Sequence, residues 1–70
     1  SLEGAIYWYR KALDADPDHA LSQRNLALTY AGAGRIQEAE AELAHYRRVV
    51  QNQAEVQKLE ALIRERRTTR

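Results

Sequence analysis

Apolar residues recur along this chain at steps of three and four. Leu2, Ala5, Tyr9 and Ala12 make the first run, with Ile6 and Leu13 beside them. Leu21, Leu28 and Ala31 mark one side of a second run, and Leu26 and Tyr30 mark another. Ile36, Ala39, Leu43 and Tyr46 repeat the first spacing, and Val56, Leu59 and Ile63, with Leu62, form a narrower stripe. That rhythm belongs to amphipathic helices with one buried face. No segment alternates with period two, so the expected fold class is all-α.

Helix breakers divide the runs. Asp16-Pro17-Asp18 is the first break, because proline disfavours the helical conformation in the residue before it and Asp18 is a good N-cap. Gly32-Ala33-Gly34 is the second, since glycine enters the left-handed conformation that closes a helix. At Gln51-Asn52, Asn52 can cap a new helix, with Glu55 three residues on as in a capping box. The expected helices run roughly over 2–15, 18–32 and 35–50, followed by a fourth segment at roughly 53–67. Their connections are short, so neighbouring helices run antiparallel.

The first and third helices superpose when shifted by 34 residues: Leu2 falls on Ile36, Ala5 on Ala39, Tyr9 on Leu43 and Ala12 on Tyr46. A helix–turn–helix unit of this period cannot bury its apolar face alone and stacks on its neighbours. Ala5-x-x-x-Tyr9, then Ala12 and Pro17, resembles the second helix of a tetratricopeptide repeat and its closing proline. Leu26-Ala27-x-x-Tyr30, then Gly34, then Ala39-x-x-x-Leu43, resembles the next repeat in full. Residues 1–17 would then be the second helix of a partial repeat, 18–51 a complete repeat, and 52–70 a C-terminal capping helix with a basic tail. The resemblance implies antiparallel hairpins forming a fragment of a right-handed superhelix. Gln23 stands where that family favours tryptophan, Ala27 where it favours glycine, Tyr46 where it favours a small residue, and Gln51 where it favours proline. Small residues at helix crossings let axes approach to about 8–10 Å. Ala5, Ala12, Ala27 and Ala39 supply them. Burying Leu26, Tyr30 and Leu43 beside them is expected to contribute about 1.5–3 kcal/mol each.

The resemblance also implies a function: a scaffold that binds a peptide or protein, without catalysis and without a cofactor. The first helix of each repeat lines a concave groove in that family, which points to Leu21, Arg24, Asn25, Leu28 and Ala31 here. Some members clamp a partner's terminal carboxylate with asparagine and basic residues. Asn25 coincides with one clamp position, but the following helix has Glu55 and Leu59 where a lysine and an arginine are needed. A carboxylate clamp is therefore not expected, and Asn25 reads as a residue with local hydrogen bonds.

Composition narrows the remaining chemistry. Seventy residues, 44% hydrophobic and 30% charged, fit one small folded domain rather than a disordered tail. The core is small, so stability depends on good helix packing or a partner. There is no cysteine for a disulfide or thiolate site. The sequence has no initiator methionine and opens inside a helical pattern, so it reads as a piece of a longer chain. No apolar run approaches the ~20 residues that span a bilayer. His19 reads as a solvated turn residue and His45 as a helix-surface residue, with no metal-ligand spacing around either. Glu38, Glu40 and Glu42 read as a solvated acidic face. The Gly32-x-Gly34 pair lacks the further glycines of a phosphate loop.

Two features invite sharper readings. Tyr7-Trp8-Tyr9 cannot all face one core, because successive helical side chains turn by about 100°. Tyr9 joins the apolar stripe, which leaves Tyr7 and Trp8 to pack on a further helix or to form an association face for a homo-oligomer. Charge is also uneven. Residues 1–46 carry seven acids against four bases, and residues 47–70 carry seven bases against three acids. Arg64-Glu65-Arg66-Arg67-Thr68-Thr69-Arg70 reads as a fraying helix end whose cations suit the macrodipole, with Glu60 one turn before Arg64. The alternative is weak binding of an anion or nucleic acid through these arginines, but with no aromatic residues among them and no known nucleic-acid fold, nucleic acid is not the expected partner.

Overall fold

A computed structural model of the chain describes residues 1–68. Among them are four helices and no strand: α1 (Leu2–Ala15), α2 (Ala20–Gly32), α3 (Ile36–Val49) and α4 (Gln53–Thr68). No helix among the described residues is long and apolar enough to cross a membrane. α2 is the only one that packs against all three others, and α1 packs against α2 alone. Two ion pairs show how α3 and α4 lie. Arg47 pairs with Glu60 and Glu40 with Arg67, so α4 runs back along α3.

Each helix begins and ends for a local reason. Ser1 caps α1, its hydroxyl accepting from the Gly4 amide at 3.0 Å. The α2 start corrects the sequence expectation. Asp18 is not the cap; its amide donates to Asp16 Oδ1 at 3.3 Å in the turn around Pro17. His19 caps instead, with Nδ1 accepting from the Ser22 amide at 3.2 Å and lying 2.7 Å from Ser22 Oγ. Once Asp16 holds the Asp18 amide, the chain turns one residue later and the helix starts at Ala20. Asn52 performs as expected, its Oδ1 accepting from the Glu55 amide at 3.1 Å ahead of α4.

The α2–α3 connection is the most constrained turn. Gly34 has φ 78°, the left-handed conformation that other residues adopt only under strain. Its amide donates to Ala31 O at 3.1 Å, and the Arg35 amide donates to Tyr30 O at 2.9 Å. That pair of bonds is a Schellman motif, in which the residue after the left-handed one usually makes an apolar contact back to the last helical turn. Here the contact is cationic: the Arg35 guanidinium lies over the Tyr30 ring, 4.9 Å from its centroid. The Tyr30 hydroxyl in turn accepts from Arg10 of α1 at 3.0 Å. Arg35 also reaches Glu3 at 3.4 Å and Glu38 at 2.7 and 2.9 Å. One buried tyrosine and one arginine thus fasten the start of α1, the end of α2 and the start of α3.

The core explains why α2 showed two apolar sides. Leu26, Ala27 and Leu28 are consecutive and all buried. Three successive side chains span about 200° round a helix, so the second half of α2 is enclosed rather than amphipathic. Ala27, Ala31 and Ala39 have no exposed surface, which lets the neighbouring backbones close in. α3 buries Ala39, Glu42, Leu43 and Tyr46 on one stripe, and α4 buries Leu59 and Ile63. On α1 the inward face is centred on Ile6, with Tyr9 and Leu13 against the core, while Leu2 is largely exposed. Of the expected Leu2–Ala5–Tyr9–Ala12 stripe, Ala5, Tyr9 and Ala12 are half-buried and Leu2 is exposed; the most buried position is Ile6, which was expected beside the stripe.

The Glu38 carboxylate is held below the usual carboxylate range, chiefly by its hydrogen bonds from Arg35. A depressed carboxyl contributes stability above its unfolded pKa and loses it as pH falls through the folded one. Glu38→Gln is therefore expected to lower the thermal midpoint near neutral pH. The gap from the parent chain closes in acid, as circular dichroism melts across pH will show. A gap that is constant with pH contradicts this assignment.

Candidate functional site

The groove residues expected on α2 separate into two groups. Leu21 is 60% exposed, and Arg24 and Asn25 beside it are half-buried. Arg24 donates to Asn25 Oδ1 at 3.4 Å, and the Asn25 carbonyl accepts from Thr29 Oγ1 at 2.7 Å. Leu28 and Ala31 were expected on the same surface, and here the expectation fails: both are buried in the core. The cause is α4. Arg66 Nη1 approaches the Leu28 carbonyl at 3.5 Å, and its side chain would lie 3.8 Å from a Cβ at Gly32. α4 crosses the C-terminal half of α2 and closes it, leaving only the N-terminal half open.

The α1 candidates do stand outside the core. Trp8 is 67% exposed and Tyr7 54% exposed. Their rings meet edge to face, centroids 5.2 Å apart at 80°, and Lys11 Nζ sits 5.9 Å from the Tyr7 centroid. Exposed hydrophobic side chains scattered singly are ordinary; here two large ones adjoin in one patch.

The basic tail is more tightly engaged than a fraying end. α4 continues to Thr68, whose hydroxyl donates to the Arg64 and Glu65 carbonyls. Arg67 pairs with Glu40 of α3 at 3.6 Å. Glu60 was expected to support Arg64 and instead pairs with Arg47, accepting from Nε at 3.2 Å and from Nη2. Helix crossing outcompetes the helix's own next turn. Thr69 and Arg70 lie outside the described residues.

Sequence reasoning missed a hollow between α2 and α3. Pro17, Asp18, Gln23, His45, Arg48 and Val49 line it, around a volume of about 450 Å³. Gln23 is 2% exposed; its Nε2 donates to the Pro17 carbonyl at 2.9 Å, while its Oε1 is buried without a hydrogen-bond partner. Glu42, expected on a solvated acidic face, is 4% exposed, and its Oε1 is also buried without a hydrogen-bond partner. His45 Nδ1 is 3.6 Å away, too far for a good hydrogen bond. The signal that could have found Glu42 is its place between Ala39, Leu43 and Tyr46 on the buried stripe. Among the described residues no group of three or more His, Asp or Glu side chains could hold a metal ion.

An acceptor buried without a donor costs about 1–3 kcal/mol, and an apolar side chain of similar shape removes that cost. Glu42→Leu is accordingly expected to stabilise the chain by about 1 kcal/mol or more in urea unfolding at neutral pH. A destabilised variant would show that Glu42 is held by contacts worth more than its buried oxygen costs.

The arrangement recurs in a family of known proteins. Two helical hairpins share α2, the third helix repeats the spacing of the first, and α4 lies back along α3. A family model described as tetratricopeptide repeat matches residues 1–63. No curated protein and no solved structure matches the chain at a significant level. The match spans all four helices in part or whole, and the chain belongs to the tetratricopeptide repeat family.

Proposed function

We propose that this chain is a protein-interaction module that binds an extended peptide or a protein surface and carries out no catalysis. Residues 1–17 are read as the second helix of a partial repeat, 18–51 as a complete repeat, and 52–70 as a capping helix with a basic tail. Tetratricopeptide repeats serve in general as protein-interaction scaffolds, and family membership gives the class. The observation that carries the site is Leu21. It is a large apolar side chain 60% exposed on α2, next to Arg24 and Asn25, whose polar groups remain within reach of solvent. An apolar anchor flanked by a guanidinium and an amide suits a peptide with one hydrophobic side chain and nearby carbonyl or carboxylate acceptors.

Peptides selected from a displayed random library supply the probe. Leu21→Ala and Arg24→Glu are each expected to weaken the selected peptides tenfold or more by fluorescence polarisation, with helicity unchanged. Trp8→Arg is expected to leave that affinity alone. Selected peptides that bind both α2 variants as tightly as the parent chain place the binding surface elsewhere and defeat the reading.

A further inference from the structure

Among the described residues the large hydrophobic side chains left exposed are Leu2, Tyr7, Trp8 and Leu21. Three of the four stand on α1, and Leu21 stands by itself on α2. The far side of the fold is different. α4 turns mostly polar side chains outward, among them Gln53, Glu55, Gln57, Lys58 and Arg64, with only the small Ala54 and Ala61 as apolar residues between them. Stacking α1 of one copy on α4 of the next would therefore set Trp8 against amides and charges. A head-to-tail contact through α4 therefore has no large apolar patch to use among the described residues. The surface that matches the Tyr7–Trp8 plate is the same plate on a second copy, and a contact of a patch with itself closes as a two-fold dimer.

The charges fix the orientation. Glu3 and Lys11 lie four residues to either side of Tyr7, about 6 Å along the helix axis in each direction. Both are exposed, Glu3 with 77% of its side chain open even while it pairs with Arg35. Antiparallel helices crossing at Tyr7 bring Glu3 of each copy to Lys11 of the other. Parallel helices would oppose Glu3 to Glu3 and Lys11 to Lys11. We propose that two copies of this chain pair through α1, antiparallel about Tyr7, with the Tyr7 and Trp8 rings buried between them and two Glu3–Lys11 pairs at the rim. A single helix pair falls in the small interface class, under about 1,200 Å² in total, where weak and transient contacts sit, so the dimer is a weak one. This inference is independent of the α2 surface.

Sedimentation equilibrium on the 70-residue chain, from micromolar to millimolar concentration, tests it. The expected result is a monomer–dimer equilibrium with no larger species, and Trp8 emission that shifts to the blue as the dimer forms. Trp8→Arg is expected to leave a folded monomer, since that side chain is outside the core. Glu3→Lys and Lys11→Glu are each expected to weaken the dimer severalfold, and the two together to restore it. That rescue belongs to the antiparallel register alone. A chain that stays monomeric at millimolar concentration overturns the proposal. So does a dimer that survives Trp8→Arg, or a double variant no tighter than the single ones. If a longer chain with residues before Ser1 keeps Trp8 buried while monomeric, those residues are the occupant and the proposal fails.

Discussion

The enclosure of α2 is the constraint on which the rest of this small fold depends. Seventy residues cannot surround many helices, and here they surround one. α1, α3 and α4 each lie against it, and the consecutive burial of Leu26, Ala27 and Leu28 leaves α2 little face for water along its second half. That is possible because Ala27 and Ala31 keep the neighbouring axes close while Leu26 and Tyr30 fill the space between. The turn that follows is bound to the same helix. Gly34 reverses the chain, and Arg35 then lies back on the ring of Tyr30, a residue only 1% exposed. The cation sits at the surface and the ring beneath it, so a polar residue closes the core without being buried in it.

The surfaces left over follow from that enclosure. α4 takes the C-terminal half of α2, which removes Leu28 and Ala31 from any groove and leaves Leu21, Arg24 and Asn25 at the open end. α1 packs on α2 alone, apart from the Glu3–Arg35 pair ahead of α3, so one narrow face of it is covered and its aromatic side is not. α3 and α4 share the apolar core through Leu43, Tyr46, Leu59 and Ile63, and the Arg47–Glu60 and Glu40–Arg67 pairs lie at its edge. Exposed ion pairs of this kind hold register more than they add stability. The arginine-rich segment thereby serves the fold.

Much of this could be read from the sequence, for identifiable reasons. The proline at 17, the glycine at 34 and the asparagine at 52 are local signals, and each marks a boundary in the structure within about two residues. What eluded the sequence depends on contacts between helices. The inward line of α1 is set by where α2 lies, and an apolar pattern wide enough to include both Leu2 and Ile6 does not choose between them. Asp18 is the cap that the sequence offers, but its amide is engaged by Asp16 and His19 caps α2 instead. Glu42 looked solvated because glutamate usually is, yet it shares its stripe with Leu43 and Tyr46. Arg66 and Arg67 looked like a loose end because their partners, the Leu28 carbonyl and Glu40, are distant in sequence.

Native-state hydrogen exchange tests the central claim most directly, because it ranks the helices by the free energy needed to open each amide. If α2 is the element on which the others rest, the amides from Leu26 to Ala31 exchange last, and only through unfolding of the whole chain. α1 and the final turn of α4 then open earlier by local steps. Amides of α2 that exchange before those of α3 or α1, while those helices remain protected, would contradict the account.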